Sequence, residues 1–375
     1  MIDVFATATQ HLAHLAKGDY SSAELLEAHL AQVDAHGGKI NSLVWQDRDR
    51  ARKLAAGSTA KPSAALPMAG LSMTVKESFN VSGAPTTWGI PAFRNNIASS
   101  NAVVVERVQA AGAIVYGKTN VPINLADFQS YNDIYGQTNN PWDTSRSPGG
   151  SSGGSAASLA AGFAAMEIGS DIGGSIRTPA HFNGVFGHKP TWGLIPARGH
   201  ALPPAIAEPD IAVVGPLARS AFDLELMMDV LAGPDALDKG VRYELKGLPY
   251  RDLGRLRVAV WANDEVCPVT RETQARVLKV ADALAQAGAL VNYEARPKIS
   301  AQHSHDVYSA LLWSIMASGL ADSEYADLQM AAAQIPAGSN DPAGQLPKFS
   351  TLTHRDWLRY NNQRDYLRWA WHEFF

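Results

Sequence analysis

Two serines in glycine-rich surroundings are candidate nucleophiles. Ser151 lies in the run GGSSGG, and Ser175 follows two glycines in the run DIGGSIRTP. Glycine lets backbone N–H groups approach a ligand closely, which favours stabilisation of a developing oxyanion. A serine hydroxyl becomes a good nucleophile only when a neighbouring base takes its proton. The next question is therefore which base the chain offers to either serine.

A lysine is the available base, because no downstream histidine lies in a recognisable triad motif. Lysine can act as a base when burial penalises its ammonium form and lowers its pKa. Lys76 stands at the end of the apolar stretch LSMTVK, which predicts a strand. A lysine at a strand end is usually a solvated rim residue, so Lys76 alone is a weak signal.

Two motif matches fail on their structural context. Residues 112–119, GAIVYGKT, fit the P-loop pattern, but the four residues between the glycines are themselves an apolar strand, whereas a P-loop is a turn. Ser151 with its flanking glycines fits the nucleophile elbow GxSxG of α/β-hydrolases. The preceding residues, TNNPWDTSRSP, are polar and turn-forming, so no strand delivers Ser151 to a sheet. Both a nucleotide site and an α/β-hydrolase are disfavoured.

The segment around Ser175 has the order of strand, turn and helix that the first serine lacks. A predicted strand over 168–172 runs directly into two glycines, and Thr178 and Pro179 suit the start of a helix. One interpretation makes Ser175 a nucleophile. The other, equally open at this point, is a plain glycine-rich turn in which Ser175 caps the helix.

Helices and strands alternate along much of the chain. The first sixty residues look helical, with one helix that opens at a capping box of Ser21 and Glu24 and closes at Gly37 and Gly38. Beyond a Pro/Ser/Ala connector, helices are predicted over 101–111, 155–165, 219–233 and 270–289, and strands over 113–118, 165–172, 256–262 and 290–295. Such alternation favours a mostly parallel sheet covered by helices.

Composition excludes several classes of protein. The 375 residues are 46% hydrophobic and carry a formal charge of -4, with acidic and basic residues well mixed, so nucleic acid is not an expected partner. Cys267 stands alone, which rules out an internal disulfide and favours a reducing compartment. The N-terminus lacks the basic start of a signal peptide, and no apolar run approaches the ~20 residues of a membrane span. We expect a soluble, cytoplasmic α/β protein.

Five segments, in this order, resemble the amidase signature family: GLSMTVKESFNVSG, AGAIVYGKTNVP, YGQTNNPWDTSRSPGGSSGGSAASLAAG, IGSDIGGSIRTPAHFNGVFGHKPTWG and VGPLARSAFDLELMMDVL. The resemblance is strong over residues 21–232 and looser beyond. It implies one α/β domain with a mixed central sheet, helices on both faces and a helical N-terminal segment. We place that segment at 1–65 and the main body at 66–375.

The resemblance also assigns roles. It implies a Ser-Ser-Lys triad with Ser175 as the nucleophile, Ser151 as the bridging serine and Lys76 as the base. It implies a cis peptide bond between Gly150 and Ser151. The oxyanion hole would be formed by the backbone N–H groups of Ile172, Gly173 and Gly174.

The activity implied is hydrolysis of a carbon–nitrogen amide-type bond through an acyl-enzyme, with no metal and no other cofactor. The substrate would be a small-molecule amide, ester or carbamate. One alternative is a glutaminase-like subunit of a tRNA amidotransferase, which works with partner chains. Another is a non-catalytic binding protein that keeps the fold. A homodimer is left open.

Two departures from the family pattern stand out. Glu77 occupies the position after the lysine where the family usually has Asp. The chain also stops where family members generally continue, at an aromatic end formed by Trp369, Trp371, Phe374 and Phe375. We therefore expect the natural protein to be longer, or a second chain to complete it.

A pocket for an apolar acyl or aryl group is a further expectation, with packing in the core or rim as the equally open alternative. Its candidate lining is Trp88, Ile90, Phe93, Phe128 and the loop 201–209.

Overall fold

The computed structural model describes residues 1–238, 243–245, 247, 252–336 and 341–375. The chain forms two compact units, Met1–Tyr243 and Glu244–Phe375, which are taken in turn. The first unit contains the three segments that surround the candidate serines and lysine.

Helices and strands alternate through the first unit. Its helices are α1 (Ala8–Lys17), α2 (Ser22–Ile40), α3 (Arg48–Gly57), α4 (Val103–Ala110), α5 (Gly153–Ala160), α6 (Arg177–Asn183) and α7 (Ala221–Leu231). Its strands are β1 (Leu43–Gln46), β2 (Ser72–Lys76), β3 (Ile114–Thr119), β4 (Tyr131–Asn132), β5 (Gly136–Gln137), β6 (Met166–Asp171), β7 (Phe186–Gly187) and β8 (Val213–Ala218).

Two three-stranded sheets form the centre of this unit. In the first, of order β1-β3-β2, β3 pairs antiparallel with β1 and parallel with β2. In the second, of order β6-β8-β7, both pairings are antiparallel. The edge strands β2 and β6 contact each other, which brings the two sheets together. The α/β class with mixed sheets is confirmed, whereas the prediction of a mostly parallel sheet is wrong.

The N-terminal elements differ in detail from the sequence prediction. The capping box of Ser21 and Glu24 opens α2 as predicted. The predicted end at the two glycines is wrong, because α2 continues to Ile40 and ends at Asn41, whose φ of 53° is left-handed. Strand β1 was missed, since four residues carry little periodicity and pair with a strand seventy residues away in sequence.

Residues 5–9 are bonded to Asp223 in α7 and to Arg219 just before it. The Arg219 guanidinium donates to the carbonyls of Phe5 and Ala6, at 3.1 and 2.7 Å. The Asp223 carboxylate accepts from the N–H groups of Ala8 and Thr9, at 3.1 and 2.8 Å, at the start of α1. A carboxylate at a helix N-terminus stabilises the helix through its unpaired N–H groups and its dipole.

Side chains of the sheets and their helices form an apolar core around β2, β3, β6 and β8. Five acidic or basic side chains are also fully or almost fully buried in or directly after these strands: Lys76, Glu77, Lys118, Glu167 and Asp171. Burying charge costs free energy unless partners compensate for it, so such a concentration marks a candidate functional site.

The second unit is built mainly from helices. It contains β9 (Arg257–Ala259), α8 (Arg271–Gln286), β10 (Leu290–Asn292), α9 (Ala301–Met316), α10 (Asp322–Ala333), α11 (Pro342–Ser350) and α12 (His354–Phe374). Strands β9 and β10 pair in parallel, and α11 and α12 pack on α9. Among the described residues, no helix combines the length and the apolar character needed to cross a bilayer.

The aromatic end of the chain lies on α12. Trp369 and Phe375 are 64% and 83% exposed. The boundary at residue 65 stays a prediction.

Candidate active site

Lys76 is the last residue of β2, and its side chain is completely buried. Its Nζ lies 2.7 Å from Ser151 Oγ and 2.9 Å from Ser170 Oγ. Burial lowers the pKa of Lys76 to about 7, although the negative charges of Asp171 and Glu77 act in the opposite direction. The amine is therefore able to exchange a proton near neutral pH.

Ser151 lies in a tight loop that leads into α5, and the residues directly before it, 138–150, form no strand. The Gly150–Ser151 peptide bond is cis, as the resemblance implied. A Cβ on Gly150 would lie 2.1 Å from the carbonyl oxygen of Gln129, so this loop packs against residues 127–130 only because position 150 is glycine. That packing fixes the loop that carries Ser151.

Ser175 lies in the turn between β6 and α6 and is 6% exposed. Its carbonyl accepts from the Ser152 N–H at 3.1 Å, which joins the loops of the two candidate serines. Ser175 Oγ makes no hydrogen bond within the described part of the chain. The interpretation of Ser175 as a helix cap is wrong, because the N-cap of α6 is Ile176 and no side chain caps it.

Asp171 organises the turn that carries Ser175. Its carboxylate accepts from the N–H groups of Gly174 and Ile176, at 2.8 and 3.0 Å, and from two nitrogens of the Arg177 guanidinium, at 3.0 and 2.9 Å. Burial raises the pKa of Asp171, but the bonds from Arg177 and the backbone hold it below its usual value. Asp171 is therefore ionised, and the turn is built around its charge.

The three predicted oxyanion donors differ in their surroundings. The Gly174 N–H donates to Asp171, and Gly174 has a left-handed φ of 128°. The Gly173 N–H has no hydrogen-bond acceptor among the described residues. Ile172 directly follows β6, one residue before the two glycines.

Sequence reasoning missed Ser170 and Asp171. Their signal was present, because the polar pair interrupts an apolar strand, with only Ile172 between it and the two glycines. In β6 the hydroxyl of Ser170 reaches Lys76 and the carboxylate of Asp171 reaches the Ser175 turn.

The other candidates also have defined positions. Residues 114–119 form β3, so the P-loop match is a strand, as its context indicated. Phe128, 53% exposed, places its ring 3.3 Å from where a Cβ on Gly174 would lie. Trp88 is half-buried, and its Nε1 donates to the Ser78 carbonyl at 3.1 Å. In the described ranges, no three His, Cys, Asp or Glu side chains gather as metal ligands.

Comparison with known proteins gives a decisive match. The model of the Amidase family matches residues 24–373, which include all the segments above. The chain belongs to the amidase family. Three relatives show how far this amidase-family likeness extends.

An acylamidase of Rhodococcus erythropolis is 37% identical over 238 residues, 62% of this chain and 48% of that protein. A glutamyl-tRNA(Gln) amidotransferase subunit of Deinococcus radiodurans is 33% identical over 370 residues, 97% of this chain and 73% of that protein. The structure of 6-aminohexanoate cyclic dimer hydrolase superposes with a TM-score of 0.79 at 27% identity, covering 99% of this chain and 78% of that one. The amidase-family fold thus spans both units, whereas the match to the acylamidase covers about half of that relative.

Proposed function

We propose that the protein is a serine hydrolase that cleaves a carbon–nitrogen amide-type bond through an acyl-enzyme on Ser175. The observation that carries this proposal is the contact between Lys76 Nζ and Ser151 Oγ, 2.7 Å apart in a fully buried setting. A buried lysine whose pKa is lowered to about 7 is a base that a serine hydrolase without a histidine requires. Membership of the amidase family supports the same reaction class.

The proposed proton path rests on the roles that the family resemblance implies for Lys76, Ser151 and Ser175. Neutral Lys76 takes a proton from Ser151, and Ser151 takes one from Ser175 as Ser175 Oγ attacks the carbonyl carbon. A C–O bond forms, and when the C–N bond breaks, the protons return along the same path to the leaving amine. Water then attacks the ester on Ser175 by the same relay and releases the acid.

Backbone donors would stabilise the negative charge on the substrate oxygen. The Gly173 N–H is suited to this role because nothing in the described chain competes for it. Ile172 and Gly174 complete the proposed oxyanion hole. The Gly174 N–H donates to Asp171 in this structure, so its share in the hole requires that it turn from the carboxylate toward the substrate.

Esters and carbamates present the same carbonyl to Ser175, so the proposed substrates are small-molecule amides, with esters and carbamates as extensions.

A second candidate is a glutaminase-like subunit of a tRNA amidotransferase, favoured by the Deinococcus radiodurans relative that aligns over 97% of this chain. Such a subunit co-purifies with partner chains and prefers glutamine. We place the reaction in the cytoplasm. The buried contacts of Lys76 weigh against a non-catalytic binding protein.

Active-site labelling tests the proposal. A fluorophosphonate should modify Ser175, and Ser175→Ala should abolish both the labelling and the hydrolysis of a panel of anilides, esters and carbamates. Ser145→Ala, which alters an exposed loop serine, is the matched control and should behave as the wild type. Peptide mass mapping that finds the label on Ser151 alone would contradict the proposal.

A further inference from the structure

A second buried lysine lies one strand away from Lys76. Lys118 in β3 is completely buried, and its register partner in β2 is Val75, whereas Lys76 is opposite Thr119. Because successive side chains of a strand point to opposite faces, Lys118 and Lys76 lie on opposite faces of the sheet. Lys118 is therefore a cation near the site that the proton path does not use.

The Lys118 ammonium holds one side of the segment 85–88. Its Nζ donates to the Pro85 carbonyl and to Thr86 Oγ1, the latter at 2.9 Å. Burial lowers the pKa of Lys118 to about 8, and the charge of Glu77 opposes that shift. The amine thus keeps its proton at neutral pH, which makes both hydrogen bonds charge-assisted.

The Glu77 carboxylate holds the other side of the same segment. It accepts from the N–H groups of Thr87 and Trp88, at 2.6 and 3.0 Å, and from the Tyr135 hydroxyl at 3.3 Å. Burial raises the pKa of Glu77 above its usual value, while the charge of Lys118 and the bonds from Thr87 and Trp88 act in the opposite direction. Two buried groups of opposite charge therefore hold the segment 85–88. Lys118 donates to its carbonyl and hydroxyl oxygens, and Glu77 accepts from its N–H groups.

The segment fixes Trp88 in an unusual conformation. Trp88 has a left-handed φ of 52°, which is strained for a bulky side chain. Its carbonyl accepts from the Asn124 N–H at 2.8 Å, and its Nε1 donates to the Ser78 carbonyl. Every polar group of Trp88 is thus bonded, so its indole has one defined position.

That position lies against the turn that follows Lys76. The rings of Trp88 and His200 are 5.1 Å apart, and those of His200 and Phe79 are 4.6 Å apart. The Phe79 N–H donates to the Lys76 carbonyl at 3.1 Å. The His200 side chain is buried, and its pKa is lowered to about 3 by burial and then by the charge of Lys76. A neutral aromatic group therefore covers the turn that begins at Lys76.

We propose that Glu77 and Lys118 are positioning residues for the reaction at Lys76: as a pair of opposite charges they clamp the segment 85–88 and so hold Trp88 and His200 over the Lys76 turn. The inference rests on the proposed amide hydrolysis. The clamp keeps water away from Lys76 and so preserves the neutral amine that the proton path needs.

Three variants test the clamp: Glu77→Gln, Lys118→Met and the double variant. Lys61→Met is the matched control, because Lys61 also donates to a backbone carbonyl but lies on the surface. Hydrogen exchange at the amides of Thr87 and Trp88 reports on the clamp without any need for activity. In each single variant we expect exchange about tenfold faster or more, since a charged hydrogen bond or its counter-charge is lost.

Turnover separates positioning from general stability. For an anilide, kcat/KM should fall about tenfold or more in each single variant. The kcat/KM of the double variant should be no lower than that of the poorer single variant. In each single variant the loss comes from the one charge that is left without its partner in the interior, and the double variant has no such charge. Lys118→Met should also shift the pH–rate profile to higher pH, since water that reaches Lys76 reduces the burial that lowers its pKa.

Four outcomes overturn the inference: unchanged exchange in both single variants, unchanged turnover in an active enzyme, losses that multiply in the double variant, or an unshifted profile in Lys118→Met. If the wild type neither hydrolyses the panel nor is labelled at Ser175, the proposed function fails. The assignment of Glu77 and Lys118 as positioning residues for that reaction then fails with it. Faster exchange in the variants would in that case still establish the clamp as a structural pair.

Discussion

Lys76 Nζ lies 2.9 Å from Ser170 Oγ, a contact that joins the last residue of β2 to β6. Together with Ser151 Oγ on its other side, it places the amine between two hydroxyl groups that belong to different segments of the chain. A hydroxyl can accept from the ammonium form and donate to the neutral amine, so both protonation states of Lys76 have partners. The position of the amine is therefore the same before and after it takes a proton.

Removal of the Ser170 hydroxyl should weaken catalysis without unfolding the protein. For Ser170→Ala we expect kcat to fall about tenfold with little change in KM, because one neutral hydrogen bond orients the base but does not bind substrate. Ser158→Ala is the control, since it removes another buried hydroxyl, bonded at 2.9 Å to Ser42 Oγ. Steady-state kinetics of both variants decide the point, and equal losses would show that Ser170 has no special part.

The basicity of Lys76 sets the pH dependence of the reaction. The base acts when it is neutral, so the rate should rise with pH through a pKa of about 7 and level off above it. Lys76→Ala should remove most amide hydrolysis and affect activated esters less, because their leaving groups depart without a proton. Lys76→Arg keeps the charge but cannot lose its proton, so it should be inactive on amides.

The measurement is kcat/KM for one anilide and its matching ester, across pH, in the wild type and both variants. Substantial anilide turnover by Lys76→Arg would exclude Lys76 as the base.

Features that depend on residues close together in the sequence were predicted, and features that depend on distant residues were not. Strand β6, its two glycines and helix α7 were predicted because periodicity and turn residues are local signals. The second-unit helices α9 to α12 were not predicted, and α12 has no buried residue, so its sequence shows little amphipathic pattern. The roles of Lys76, Ser151 and Ser175 stay predictions based on a family resemblance.

The contacts of Ser170, Glu77 and Lys118 lay beyond the sequence for another reason. Lys76 and Ser170 are 94 residues apart, and Lys118 and Thr86 are 32 apart, whereas Glu77 reaches Thr87 across a turn of only 10 residues that shows no periodicity. Spacing within one segment carries no information on which strands become neighbours. The P-loop match has no meaning as a motif, although its lysine is the buried Lys118 of the proposed clamp.

The charge of Asp171 should matter more than its shape. Asp171→Asn keeps the size of the side chain but loses the ion pair with Arg177, whose Nη2 lies 2.9 Å from the carboxylate. We expect kcat to fall about a hundredfold, because several charge-assisted bonds shape the Ser175 turn. Arg177→Met is the matched variant, and it should lose less, since the bonds from Gly174 and Ile176 remain. Fluorophosphonate labelling rates measure both effects, and a larger loss in Arg177→Met would refute this order.

Glu167 should make the protein less stable at alkaline pH. Burial raises its pKa from 4.5 to about 8, so the folded protein holds this proton over a range in which the unfolded chain has released it. Stability then falls as pH rises from about 4.5 to about 8, because the native state binds more protons there. Glu167→Gln cannot ionise and should be free of this loss. Chemical denaturation of both proteins at pH values across that range measures it; parallel stability curves would contradict the assignment.

The bonds of Arg219 and Asp223 to residues 5–9 constrain the order of events during synthesis. The partners are separated by more than 210 positions along the chain, so residues 5–9 lack these particular bonds until Asp223 has left the ribosome. At a translation speed of about 5–20 residues per second, the N-terminal segment waits for roughly tens of seconds before its carbonyls and N–H groups are satisfied. The start of α1 therefore reaches its final set of hydrogen bonds only after α7 has been made.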